Sequence, residues 1–291
     1  MAYLCLDIGA TKTLVGILEE EFKSIEEIET KNFLRDREEK IREWSQIENF
    51  DEVAVATAGP IGEEGRTIRP PNLPQDEIPI GEEFQEFFDK VEVINDCHAG
   101  ALGEYVYGSA KTEHLVYLTM STGIGAGVID EGELVQGWNG NFAEVGHMKI
   151  SDHGECGCGA VGHWEALCSG KNLPKIAESM VGERFDKAEQ IFDRYREGNE
   201  KLEPLIEKVK EYNAAAISNL INLYNPEHIS IGGSVGLNQF DLIIPSSEEK
   251  IRKNSINDLP NIEKCSLGEE VVLKGLKALI KKGREGDYRE F

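Results

Sequence analysis

Short apolar runs broken by glycine turns dominate the first third of the chain. "YLCLD" (3–7) and "TLVGIL" (13–18) flank "IGATK", which predicts strand, glycine-containing turn, strand. Residues 23–50 alternate charge with apolar positions and predict a third strand and then a helix from Arg35 to Ile47. "EVAVATAGP" (52–60) is a buried strand closed by a Gly-Pro breaker, and "RPPNLP" (69–74) is a loop. "EEFQEFFDKV" predicts a short helix, "VEVIND" a strand, and "HAGALGEYVYG" the start of another helix.

The opening pattern then returns. "HLVYLTMSTGIGAGVIDEGELV" (114–135) is again strand, glycine turn, strand. Placing Asp7-Ile8-Gly9 over Ser121-Thr122-Gly123 aligns the apolar runs, a repeat of about 114 residues that suggests two related lobes. Further on, residues 205–226 carry apolar positions at helical spacing and end at Asn225-Pro226. "HISIGGSVG" is a strand running into a glycine turn, and "VVLKGLKALIKKG" (271–283) an amphipathic helix with basic residues in its last turn. The mixture predicts an α/β chain of two lobes with a cleft. The expected N-terminal lobe is 1–110, joined by the helix at 270–285, and the larger lobe is 111–269.

Composition narrows the partners. With 291 residues and 40% hydrophobic content the chain can bury a sizeable core, and no apolar run approaches 18 residues. "MAYLCLDIGATKT" has no signal-peptide pattern, and six mostly scattered cysteines suit reduced thiols, so a cytoplasmic protein is expected. The formal net charge of −23 disfavours nucleic acid and anionic membranes as partners. The acidic excess reads as a solvated surface of the kind suited to high salt, although twenty lysines temper that reading.

Three glycine turns follow strands: "DIGATKT" (7–13), "STGIGAG" (121–127) and "GGSVG" (232–236). Without a Cβ, successive N–H groups can converge on one anion, and hydroxyls of Thr11, Thr13, Ser121 and Thr122 add donors. Three such turns point to nucleotide phosphates, although none matches a Walker or dinucleotide fingerprint. Asp7 stands where a carboxylate can hold Mg²⁺ through water, or else caps a turn. Asn95-Asp96 is either an ordinary N-cap pair or a strand-end carboxylate that takes a proton from a hydroxyl, and spacing does not choose. Glu144, His147 and Glu165 gather polar groups suited to sugar hydroxyls. His147, Cys156, Cys158 and His163 can form a closed Cys₂His₂ zinc site, which implies a structural role. His153 competes as a ligand, and an uncoordinated polar loop is the alternative.

Taken in order, "DIGATKT", "STGIGAGVI", "GNFAEVGH", "CGCGAVGHWE" and "ISIGGSVG" resemble the ROK family (repressors, open reading frames and kinases) of the actin-like, hexokinase-type ATPase superfamily. The resemblance implies a two-lobed, ribonuclease H-like fold with ATP and sugar in the cleft. It implies that Asp7, Gly9, Thr11 and Lys12 form the first phosphate loop, with Asp7 near Mg²⁺. Ser121, Thr122, Gly123 and Gly125 form the second, and Gly232, Gly233 and Gly236 the adenosine loop. Asp96 becomes the general base, and Gly59, Asn95, Glu144, His147 and Glu165 join it in binding sugar. His147 then also ligates structural Zn²⁺, with His163 replacing the third cysteine of the family's motif. His98 stands where many members have asparagine, and Ala143 where glycine is usual.

The expected activity is ATP-dependent phosphorylation of a hexose, glucose at its 6-hydroxyl first. Fructose, mannose, N-acetylmannosamine and N-acetylglucosamine are alternatives, and a non-catalytic sugar sensor is a more distant one. The family's DNA-binding repressors need a winged helix before the first strand, and here a strand is expected by residue 3. A homodimer or higher homo-oligomer is the expected assembly.

Overall fold

The computed structural model describes residues 1–47, 49–62, 65–68, 73 and 77–285. The loop expected at 69–74 lies outside them except for Leu73. The strands are β1 (Tyr3–Ile8), β2 (Lys12–Leu18), β3 (Phe22–Glu29), β4 (Glu52–Thr57), β5 (Thr67–Ile68), β6 (Glu77–Ile78), β7 (Val91–Asn95), β8 (Leu115–Met120), β9 (Ile124–Asp130), β10 (Glu133–Leu134), β11 (His228–Gly232) and β12 (Asn261–Lys264). The α-helices are α1 (Thr30–Ile47), α2 (Ile80–Gln85), α3 (Asp96–Tyr107), α4 (Trp164–Cys168), α5 (Leu173–Val181), α6 (Ala188–Arg196), α7 (Glu203–Tyr224), α8 (Ser234–Ile243), α9 (Glu248–Asn254) and α10 (Val271–Glu285).

The chain divides into two compact units. The first comprises Met1–Lys111, Gly127–Phe142 and the segment from Glu269 onward; the second comprises Thr112–Ala126 and Ala143–Gly268. A sheet of order β3-β2-β1-β4-β7 organises the first unit. β1 pairs antiparallel with β2 and parallel with β4, and β4 pairs parallel with β7. A second sheet, β10-β9-β8-β11-β12, repeats that order with β8 in the place of β1. The repeat seen in the sequence is therefore a repeat of topology. The equivalent strand ends, Ile8 and Met120, lie 112 positions apart, so the two turns are offset by two residues from the sequence alignment.

Alternation along β1 sorts its side chains to two faces. Leu4, Leu6 and Ile8 join Val53, Val55, Phe33, Ile41, Trp44 and Phe84 in one buried cluster, with α1 and α2 over it. Cys5 pairs with Ala54 across the sheet, and Asp7 with Ala56. These small side chains leave room for α10, which contacts both β1 and β4. Helix α1 begins at Thr30, five residues earlier than the polar pattern predicts. The Thr30 hydroxyl donates to the Gly9 carbonyl at 2.7 Å, and its N–H donates to Thr11 at 3.0 Å. These bonds to the first turn start the helix directly at the end of β3.

Helix α3 crosses α10 with backbone against backbone. A Cβ on Gly103 would collide with the Val271 carbonyl, and one on Gly275 with the Ala99 carbonyl. In the second unit, α7 packs against α4 and α9, and buries Leu205, Ile206, Ile217 and Leu220. No helix among the described residues is long and apolar enough to cross a membrane. Because Gly275 meets rigid carbonyl backbone, Gly275→Ala is expected to cost about 2 kcal/mol or more of stability, read as a lowered urea midpoint with an unchanged m-value.

Candidate functional site

Three parallel strands of the first unit end side by side. Asp7 lies next to last on β1 and Asn95 last on β7, with Ala56 and Thr57 of β4 between them. The carboxyl ends of parallel strands are where α/β sheets gather ligand-binding groups, because each strand stops there and its loop is free to specialise. Gly9 N–H closes the β1–β2 turn onto the Lys12 carbonyl at 3.1 Å. The Lys12 ammonium lies 2.6 Å from Glu269 and 3.5 Å from Glu27, so it is held beside the turn by carboxylates.

Asn95 caps α3. Its Oδ1 accepts from the N–H groups of Cys97 (2.9 Å) and His98 (3.3 Å), and its Nδ2 donates to the Gly59 carbonyl at 3.2 Å. The N-cap role is thus realised, and one amide hydrogen remains for a ligand. Asp96 opens the helix, and its Oδ1 accepts from the Cys97 N–H at 2.9 Å and from the Cys97 thiol at 3.4 Å. Burial raises the Asp96 pKa, with the Cys97 bonds opposing. Burial also pushes Asp7 up to about 8, assisted by the charge of Asp96 and opposed by Lys12. Two buried carboxylates, one raised further by the charge of the other, make a site for a cation or a transferable proton.

The other two glycine turns meet within the second unit. Ser121 N–H bonds the Gly123 carbonyl at 2.8 Å, and Gly170 N–H bonds the Ser121 carbonyl at 2.7 Å. The Ser121 and Ser234 hydroxyls are 3.1 Å apart. β11 ends at Gly232 beside Thr119 of β8, so Gly233 and the first turn of α8, which holds Gly236, lie next to Ser121–Gly123. Gly125 lies within β9, and the Thr122 carbonyl accepts from Lys171 N–H at 3.3 Å.

Glu144 precedes a 3₁₀ turn, Val145–His147. His147 presents Nε2 at 3.9 Å from Glu144 and Nδ1 toward the cysteines. Glu165 is buried, and its Oε2 accepts from the Ile124 N–H at 3.0 Å. The next-door Trp164 donates from Nε1 to Asn213 Oδ1 at 2.7 Å, which fixes α4 on α7.

His147, Cys156, Cys158 and His163 bring their ligand atoms within 4.8 Å of one another, whereas His153 is not part of the group. A tight hairpin supports them: Cys156 N–H bonds Ala160, and Gly159 N–H bonds Cys156. Gly162 has φ +81°, and a Cβ there would strike the Ser151 carbonyl, so only glycine allows the chain to reach His163. The two Nδ1 atoms are 3.2 Å apart, and the sulfur–nitrogen distances are 3.7 Å for Cys156–His147 and 3.3 Å for Cys158–His163. A tetrahedral zinc would separate two nitrogens by about 3.3 Å and nitrogen from sulfur by about 3.6 Å. The donor set therefore fits the metal. Burial, then the neighbouring His147, lowers the His163 pKa; burial raises the Cys156 thiol to about 11.

The structure thus brings Asp7, Gly59, Asn95 and Asp96 together in the first unit, with Gly9, Thr11 and Lys12 in the adjoining turn. The remaining expected residues lie in the second unit. Sequence reasoning passed over Cys97, whose thiol reaches Asp96; its only signal was a sulfur directly after a strand-end carboxylate. It also missed a strap: Asn141 bonds both Ile61 N (2.7 Å) and Ile61 O (2.9 Å), and His98 Nε2 meets the Phe142 carbonyl at 3.0 Å. His98 is therefore committed to the backbone just before Glu144.

The ROK family profile matches residues 3–282, and the chain belongs to the ROK family. It is 32% identical over 289 residues to a glucokinase of Pyrobaculum calidifontis, covering 97% of this chain and 96% of that one. It is 30% identical over 249 residues to an N-acetylmannosamine kinase of Vibrio cholerae, covering 81% and 85%. The ROK hexokinase from Thermus thermophilus superposes with a TM-score of 0.80 at 26% identity, over 97% of this chain and all of that one. The fold is accordingly the actin-like ATPase fold of these kinases.

Ala143 has φ +66°, the left-handed region in which a Cβ is crowded. The glycine usual at this position in the family resemblance now has a physical reason. Ala143→Gly is expected to raise stability by about 1 kcal/mol, seen as a higher thermal midpoint; an unchanged or lower midpoint would contradict the strain.

Proposed function

We propose that the protein is an ATP-dependent hexose kinase that phosphorylates glucose at its 6-hydroxyl, with Asp96 as the general base. The observation that carries this reading is the placement of Asp96. It is a buried carboxylate at the head of a helix, one oxygen fixed by Cys97 and its pKa raised, with Asp7 on the same row of strand ends one strand beyond β4. A base with a raised pKa accepts a hydroxyl proton more readily as that hydroxyl attacks the γ-phosphate.

From the first unit, Gly9, Thr11 and Lys12 would take phosphate oxygens, with Lys12 leaving Glu269 and Glu27 to do so. Gly59 and Asn95 would orient the sugar beside Asp96. From the second unit, Ser121, Thr122, Gly123 and Gly125 would supply N–H and hydroxyl donors to phosphate. Gly232, Gly233 and Gly236 would let adenosine approach the backbone. Glu144, His147 and Glu165 would accept and donate to sugar hydroxyls. Mg²⁺, near Asp7, would neutralise charge on the phosphates. Most of the rate would come from positioning and charge neutralisation.

Zn²⁺ would be held by His147, Cys156, Cys158 and His163, where it would fix the loop. With Nδ1 given to the metal, a neutral His147 would carry its proton on Nε2, the nitrogen on the Glu144 side, and would thereby be set as a donor. The similarity to an N-acetylmannosamine kinase favours that sugar as the second reading. ATP and Mg²⁺ suit either substrate equally, so the sugar itself decides.

A coupled assay for ADP release over glucose, mannose, fructose, N-acetylmannosamine and N-acetylglucosamine should give the highest kcat/KM with glucose; a preference for N-acetylmannosamine would install the second reading. In the same assay Asp96→Asn should lower turnover by about a thousandfold or more while sugar binding persists, and near-normal turnover would remove Asp96 from its role. Metal analysis of the purified protein should find one zinc per chain, reduced in His163→Ala. A wild-type protein without zinc would overturn the metal assignment.

A further inference from the structure

Cys97 is a residue that the expected machinery leaves unused, although its thiol reaches the proposed base. The thiol is buried, 3.4 Å from Asp96 Oδ1, and the same oxygen accepts the Cys97 N–H at 2.9 Å. The backbone N–H is shared with the Asn95 cap at 2.9 Å, so its hold on Asp96 is divided between two acceptors. The S–H supplies a second donor on the same oxygen.

We propose that Cys97 is a positioning residue for Asp96: its thiol and N–H together hold Oδ1, stop the carboxylate from turning, and leave Oδ2 to receive the sugar proton. This rests on Asp96 being the general base. A carboxylate joined to the chain by two rotatable bonds can present either oxygen in many directions, and a base must present one oxygen to one hydroxyl. Two donors on a single oxygen remove that freedom. The geometry around Cys97 supports the arrangement, because α3 is fixed behind it. A Cβ on Gly127 would strike the Cys97 carbonyl, and the next turn is set against α10 through Ala99 and Gly275. The sulfur therefore has a defined place from which to donate. A thiol is a weak donor, so the effect is on orientation and modest in size.

The test is steady-state kinetics of the full chain with ATP, Mg²⁺ and its best hexose, for Cys97→Ala, Cys97→Ser and Asp96→Asn. Cys97→Ala removes the donor and should lower kcat about three- to tenfold, with KM for sugar and ATP unchanged. Cys97→Ser restores an O–H donor and should recover most of the loss. A purely structural role would instead lower the thermal midpoint, with kcat moving only as the folded fraction does. Wild-type kcat in Cys97→Ala, or a loss in both variants without rescue by serine, would overturn the positioning role. The Asp96→Asn arm separates the two ideas: if it retains turnover, the general-base reading fails first; if it is inactive while Cys97→Ala matches wild type, only the role of Cys97 fails.

Discussion

The close crossing of α3 and α10 is the constraint on which the first unit depends. Gly103 and Gly275 allow carbonyl oxygens of one helix to lie where side chains of the other would normally stand. α3 thereby acquires a fixed axis, and its first residue, Asp96, acquires a fixed place at the end of β7. The sheet supplies the complementary restraint. Cys5, Ala54 and Ala56 keep the α10 face shallow, and Asp7 leaves β1 on that same face. Burial of two carboxylates there is costly for their charged forms, and both pKa values are raised as a result. The structure tolerates this cost only because packing elsewhere leaves the groups nowhere else to go.

Much of this was legible along the chain. Apolar runs bounded by glycine gave β1, β2, β8, β9 and β11 directly, since strands buried on both faces read as continuous hydrophobic stretches. The long period-3.6 pattern gave α7, and it stops where Asn225 turns left-handed. The start of α1 was not legible, because Thr30 begins the helix through a bond to Gly9, 21 residues away. The equivalence of the two sheets could be suspected from the returning hairpin, but strand order exists only in the pairing.

Among the site residues, the chain announced those whose chemistry is written in spacing. Cys156, Cys158 and His163 are near neighbours in sequence, and His147 joins them through one short turn. His163 was preferred to His153 in the sequence, and the hairpin that the Gly162 backbone turns brings it to the cysteines. Asn95 and Asp96 could be read as cap or as chemistry, and the geometry makes the cap real without exhausting the pair. Cys97 and the Asn141–Ile61 strap were invisible, because each depends on a contact whose direction no periodicity encodes. His98 belongs with them: an imidazole in a helix became a tether to Phe142.

The meeting of Ala99 with Gly275 joins residues 176 positions apart, and the whole contiguous segment Ala143–Gly268 of the second unit is made between them. During synthesis the first unit therefore remains without one of its helices while the ribosome completes most of the second. The sheet face that awaits α10 is exposed for that interval. Assembly of the first unit is a late, long-range closure, whereas the second can mature from segments already in hand.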